Sequence, residues 1–238
     1  MKIARIVGSA LPGQIMGAID YFRFPQWRGS WGGPFNGQLE RQRIFSAIVD
    51  ASGATTVIET GTFRGTTTEF MRSKVSRIVT IEGDLRNYGF SRTRFLASPN
   101  VTVLHGDSRE RLLDVLDRKI CGSLKPPLVI YLDAHWNEDL PLDAECEIVF
   151  SRQPDAIVMV DDFQVPGDPG YGYDDYGPGK ALVPGYIEAT CRRFDLVALY
   201  PTAPSSVETG KRRGCVVLAG RGRWSSTLEQ TGLLRQRA

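Results

Sequence analysis

The chain has 238 residues, one large domain or one and a half small ones at roughly 150 residues per domain, which is enough to bury a core. Hydrophobic residues make up 42% and charged residues 24%, an ordinary globular mix that excludes a disordered, collagen-like or coiled-coil chain. Lys plus Arg (29) against Asp plus Glu (27) leaves a net charge of +2, with basic residues scattered except in the C-terminal tail, so no electrostatic footprint for nucleic acid stands out.

Residues 21–37, YFRFPQWRGSWGGPFNG, are rich in aromatics and glycine without period, and read as an irregular arm that must dock on something. Over 38–52 the apolar residues Ile44, Phe45, Ile48 and Val49 mark one face of a helix, which Gly53 stops. Seven β-rich runs follow at 55–59, 77–82, 101–105, 128–133, 156–161, 195–200 and 214–220, with helix candidates near 66–74, 86–97, 109–118, 141–151 and 184–193. This alternation predicts an α/β fold, a Rossmann-like seven-stranded, mostly parallel sheet with helices on both faces. The last two strands lack an intervening helix and are expected to pair as a C-terminal antiparallel hairpin. The expected organisation is an N-terminal arm (1–37), one α/β domain (38–222) and a C-terminal tail (223–238). Residues 164–185 form the longest turn-rich segment, and a loop of that length in a compact α/β domain points to function.

Cys121, Cys146, Cys191 and Cys215 have no CxxC spacing, and only His105 and His135 accompany them. A Cys/His zinc site is therefore not expected, and four reduced thiols suit a reducing compartment. The first twenty residues carry no unbroken apolar run, and no stretch approaches the ~18 apolar residues that span a bilayer. The expected location is the cytoplasm, with no membrane or nucleic-acid partner.

Ligands of open α/β sheets bind at the C-terminal strand ends, and here those ends carry the chemistry. Strand one ends in Glu59-Thr60-Gly61-Thr62-Phe63-Arg64-Gly65-Thr66, where the glycines let a turn pass close to a ligand beside a helix N-terminus. The pattern is not GxGxxG, which counts against a nicotinamide oxidoreductase. Strand two ends in Glu82, a residue able to accept hydrogen bonds from both ribose hydroxyls of an adenosine ligand. Strand three runs into Gly106-Asp107-Ser108, which can cap a helix and meet an adenine edge. Strands four and five end in Asp133 and in Asp161-Asp162. Converging carboxylates repel and raise one another's pKa, a cost that a hard divalent ion such as Mg²⁺ removes.

The series EtGtfrGtT, IEgD, HGDS, LDaHW and DDF resembles the class I S-adenosylmethionine-dependent methyltransferases, specifically the metal-dependent O-methyltransferases of small molecules, over about residues 38–220. The resemblance implies that Glu59, Gly61, Thr62 and Gly65 hold the amino-acid part of the donor, Glu82 its ribose, and Asp107 with Ser108 its adenine, with Trp136 as an apolar face. It also implies Mg²⁺ on Asp133, Asp161 and Asp162, the double Asp being more similar to macrocin-type sugar enzymes than to the catechol enzymes. The catalytic lysine of the catechol enzymes has no counterpart, since Asn137 follows Trp136. Asp133 and His135 are the candidates for general base. The expected function is a Mg²⁺-dependent O-methyltransferase acting on a hydroxyl of a small vicinal diol, sugar or catechol-like substrate. A non-catalytic donor-binding or scaffold domain of the same fold is the alternative. Tyr171, Tyr173, Asp174, Asp175 and Tyr176 of the long loop are placed to close over a substrate. The arm, with Phe24, Trp27 and Trp31, is expected either to cover the same pocket or to meet a second subunit of a homodimer.

Overall fold

The β-branched runs form strands close to their expected places: β1 (Thr56–Thr60), β2 (Arg77–Glu82), β3 (Val101–His105), β4 (Leu128–Leu132), β5 (Ile157–Val160), β6 (Leu196–Pro201) and β7 (Val216–Gly220). β1, β4 and β5 are buried at every residue, as strands covered on both faces must be. The computed structural model describes residues 12–122, 124–135 and 139–237. Within them the helices are α1 (Gly13–Arg23), α2 (Leu39–Ser52), α3 (Thr66–Met71), α4 (Leu85–Arg94), α5 (Ser108–Leu116), α6 (Leu142–Arg152), α7 (Pro184–Arg193) and α8 (Arg223–Glu229).

β1 pairs in parallel with β2 and β4, and the parallel set extends outward to β3 and β5. The hairpin forms as expected, with β6 antiparallel to β7. β7 inserts beside β5, also antiparallel, with Val160 opposite Val216. The sheet has one strand more than expected. β8 (Leu234–Arg235) pairs with the outer side of β6, so the order is β3-β2-β1-β4-β5-β7-β6-β8. The tail folds back because it has apolar surface to bury: Trp224, Leu228 and Leu234 are all in the core.

Two cores sandwich the sheet. On one face Leu112 and Val115 of α5, Cys146, Val149 and Phe150 of α6 and Ile187 of α7 cover Ile58, Ile130, Val158 and Leu218. On the other, Ile44, Phe45 and Ile48 of α2 and Trp224 and Leu228 of α8 cover Val57, Val129, Ile157 and Met159. Each strand thus feeds alternate side chains to opposite layers. All four cysteines are free. Among the described residues no helix is long and apolar enough to cross a membrane.

The arm begins with α1, a helix that its glycine content does not announce. Gly17 and Gly89 let α1 lie against α4: a Cβ at Gly17 would sit 1.8 Å from the Arg86 carbonyl oxygen, and one at Gly89 2.0 Å from that of Gln14. Residues 25–37 are irregular, with short 3₁₀ turns interrupted by left-handed Trp31, Phe35 and Asn36. They dock through Phe35, which is buried against the rings of Phe45, Phe70 and Tyr131.

Candidate functional site at the strand ends

The turn after β1 is held by protein on nearly every side. The Gly61 and Thr62 amides donate to the Ile81 carbonyl, and the Gly65 amide donates to that of Thr62. Gly61 has φ 86°, and a Cβ there would lie 2.1 Å from the Asp133 carbonyl oxygen. The glycine is therefore required because the β1 and β4 ends touch. The Gly65 position faces the Phe95 ring. Glu59 is buried and turned toward its neighbours, accepting from Thr68 Oγ1 (2.5 Å) and Thr80 Oγ1 (2.6 Å). Thr62 Oγ1 meets Thr80 Oγ1 at 2.5 Å.

Glu82 closes the same turn. Its carboxylate accepts from the Phe63 amide (2.5 Å) and the Asp84 amide (2.8 Å). Burial pushes its pKa up to about 7 against those hydrogen bonds. Asp107 caps α5 by accepting from the Arg109 amide (2.9 Å), and the Arg109 guanidinium holds its carboxyl below the usual range. Arg109 also reaches Asp139 at 3.0 Å, tying α5 to the segment before α6. Ser108 is buried at the start of α5.

The ends of β4 and β5 differ in kind. Asp133, His135 and Asp162 bring three ligand-type atoms within 4.8 Å of one another. His135 is 4% exposed, and among the described residues neither ring nitrogen has a hydrogen-bond partner. Its Nε2 lies 3.9 Å from Asp133 Oδ1 and 4.0 Å from Asp174 Oδ2. Burial lowers its pKa, which favours the neutral imidazole. Desolvation, then the charges of Asp162 and Glu59, hold the Asp133 carboxyl well above the usual carboxylate range. Asp162 takes a left-handed backbone, φ 51°, and its Oδ1 accepts from Arg213 Nε at 2.8 Å. The same guanidinium pairs with Asp174, whose other oxygen accepts from Tyr176 OH at 2.6 Å.

Asp161, expected beside Asp133 and Asp162, is not brought to this cluster. Side chains alternate along β5, so Asp161 follows Ile157 and Met159 onto the face covered by α2. There one carboxylate oxygen pairs with Arg41, fully buried on α2, and the other accepts from Tyr131 OH at 2.5 Å. Arg41 also donates to the Arg213 carbonyl. Gln38 clamps the same residue, its amide donating to the Arg213 carbonyl (2.8 Å) and its side-chain oxygen accepting from the Arg213 amide (2.9 Å). The start of α2 thus fixes both Asp161 and Arg213.

Trp136, and Asn137 after it, lie outside the described residues. Within the long loop, Asp174 and Tyr176 reach the cluster. Tyr171 does not: it is buried, and its hydroxyl donates to the Ala203 carbonyl. Asp175 closes a turn by accepting from the Gly177 amide. Sequence reasoning missed Arg41, Arg213 and Glu145. Arg41 had a signal, since it sits three and four positions before Ile44 and Phe45 on the apolar stripe of α2, where a charge requires a buried partner. Glu145, in the first turn of α6, is fully buried. Neither of its oxygens has a well-aligned hydrogen-bond partner among the described residues. Desolvation pushes it up to about 7, with the hydroxyls of Ser108 and Thr60 facing it.

No family model matches the sequence, and no curated protein matches it. Solved structures do. An O-methyltransferase from Klebsiella pneumoniae, itself described as putative, aligns at TM-score 0.57 and 16% identity over 92% of this chain and 96% of that one. The O-methyltransferase of tomaymycin synthesis from Streptomyces achromogenes, solved with S-adenosylmethionine, aligns at TM-score 0.51 and 18% identity over 76% of this chain and 80% of that one. An O-methyltransferase from Bacillus cereus, solved with S-adenosylhomocysteine, gives TM-score 0.50 and 18% identity over the same shares, 76% and 80%. The chain therefore has the fold of the class I S-adenosylmethionine-dependent methyltransferases. The neighbours named here are all O-methyltransferases, and what is shared with them is the fold.

Proposed function

We propose that the chain is an S-adenosylmethionine-dependent O-methyltransferase that methylates a hydroxyl of a small vicinal diol, sugar or catechol-like substrate, assisted by a divalent cation. The observation that carries this is the convergence, in an O-methyltransferase fold, of two carboxylates and a buried imidazole at the ends of β4 and β5, the imidazole having no hydrogen-bond partner among the described residues. The Mg²⁺ set implied by the family, Asp133 with Asp161 and Asp162, fits in part. Asp161 is committed to Arg41 and Tyr131, and His135 stands in its place.

On this reading Glu82 holds the donor ribose with lone pairs left over from its two amide contacts. The Gly61–Gly65 turn borders the amino-acid part, and Asp107 with Ser108 borders the adenine. Asp133, His135 and Asp162 would hold the cation, which would supply Lewis-acid chemistry that lowers the pKa of a substrate hydroxyl. Asp133, at the end of β4 beside His135 and Asp162, takes the hydroxyl proton at its carboxylate. Asp174 and Tyr176 bring the long loop over the nucleophile. Positioning of this kind supplies several kcal/mol, because a sulfonium donor is already activated.

The test is transfer of labelled methyl from S-adenosylmethionine to a panel of vicinal diols and catechols, with and without EDTA. Transfer that EDTA abolishes is expected. Donor binding with no metal-dependent transfer to any member of the panel would favour the non-catalytic donor-binding alternative.

A further inference from the structure

We propose that Asp133, His135 and Asp162 form a mixed imidazole–carboxylate site that prefers a first-row transition ion such as Mn²⁺, Fe²⁺, Co²⁺ or Zn²⁺ over Mg²⁺, with Asp161 excluded from ligation by its pairing with Arg41. The inference rests on the cation-assisted function above and names the class of ion that this chain's own residues select.

Three observations carry it. The ligand atoms of Asp133, His135 and Asp162 lie within 4.8 Å of one another. Ligands about 2.1 Å from one ion are about 3 Å apart when adjacent and about 4.2 Å when opposite, so closing the site needs side-chain shifts of about 1 Å. His135 is buried with both ring nitrogens lacking a hydrogen-bond partner among the described residues. A buried polar group in that condition calls for an explanation, and an ion at Nε2 facing Asp133 supplies one. Finally, among the described residues the neighbouring carboxylate of β5, Asp161, is unavailable. Asp161 is 1% exposed and spends one oxygen on Arg41 and the other on Tyr131.

The donor set decides the ion. Mg²⁺ is hard, demands oxygen ligands in near-octahedral geometry and keeps several waters, whereas an imidazole nitrogen favours the borderline first-row ions. Charge agrees with a divalent ion of either kind. Asp133, Asp162 and Asp174, when ionised, carry three negative charges, and Arg213, bound to the last two, carries one positive charge. Two negative charges remain, the complement of one M²⁺.

Direct binding to the metal-stripped full chain tests this without methyl transfer. Titration calorimetry should give Co²⁺ or Zn²⁺ a dissociation constant lower than that of Mg²⁺ on the order of 100-fold, and pulsed EPR of the Mn²⁺-loaded protein should show nitrogen coupling from one imidazole. His135→Asn should remove the nitrogen coupling and most of the preference. His135→Asp, which restores an all-oxygen set, should raise relative Mg²⁺ affinity, and circular dichroism of both variants checks that they fold. Mg²⁺ binding as tight as Co²⁺, or Mn²⁺ bound without nitrogen coupling, would overturn the inference while leaving the methyltransferase function standing. A protein that binds Co²⁺ through His135 yet transfers no methyl group would keep the inference and remove the function. Failure to bind any divalent ion would overturn the inference and remove the cation from the proposed function.

Discussion

The two halves of the strand-end surface contrast sharply. Around β1, β2 and β3 the acidic groups are mostly satisfied by protein: Glu59 by two threonines, Glu82 by two backbone amides, Asp107 by Arg109. Around β4 and β5 an imidazole has no hydrogen-bond partner among the described residues, and carboxylates crowd one another. In the first half the acidic groups are already held by protein donors. The second is left incomplete, at a cost in stability that a bound cation would offset.

The contrast can be broken from either side. The largest effect is expected for Asp162→Ala, which removes one of the carboxylates proposed to hold the cation. Methyl transfer should fall by about 10³-fold or more, the several kcal/mol that a Lewis-acid cation supplies. S-adenosylhomocysteine affinity should change by less than about twofold, the scale on which separate sites fail to add. Kinetics and calorimetry on one preparation check both. Asp161→Ala acts through the fold instead: it strands Arg41 in the core, and chemical denaturation should show a loss of about 3–5 kcal/mol. If Asp161→Ala kept full stability and lost only activity, the structural assignment of that carboxylate would be wrong.

Glu145 breaks the rule that the β1–β3 half is satisfied, and its pH dependence sharpens the comparison. Its native pKa, about 7, lies above the ordinary glutamate value. The folded chain therefore binds more protons than the unfolded one between about pH 4.5 and 7, and stability falls as pH rises through that window. Glu145→Gln never ionises. It should match the wild type near pH 4.5 and exceed it by roughly 1–3 kcal/mol at pH 8, measured by urea unfolding. The smallest effect belongs to Arg109→Ala, which cuts a half-exposed tie between Asp107 and Asp139. It should cost less than about 1 kcal/mol, and added salt should shrink the difference.

The seven main strands and the helices from α2 to α7 were legible because local pattern dictates them, whereas α1 and α8 were not. Near-continuous apolar runs bounded by turns became the buried strands, and Gly53 did end α2, in a left-handed conformation. The acidic strand ends were legible too. Which member of Asp161-Asp162 faces the site was not read, although the period-2 alternation of β5 and the charge of Arg41 on an apolar stripe contained the answer together. The convergence of Asp162, Asp174 and Arg213 could not be read from local pattern. It depends on a long loop and on the pairing of β7 against β5, contacts separated by tens of residues that only tertiary packing determines. The eighth strand was missed because two residues carry no periodicity.

The pairing of β7 with β5 also makes the cluster depend on an interior strand that carries no aspartate of its own. Because the two strands run in opposite directions, with Val160 opposite Val216, the residues just before β7 arrive beside those just after β5, which delivers Arg213 to Asp162. Removing one residue between Arg213 and Val216 would send that guanidinium to the reverse side of the sheet while every acidic side chain stayed in place. The electrostatic balance of the cluster is thus encoded as much in the spacing of a hairpin as in its charged residues, and homologues with an altered hairpin length could lose the cluster's counter-charge with all its carboxylates intact.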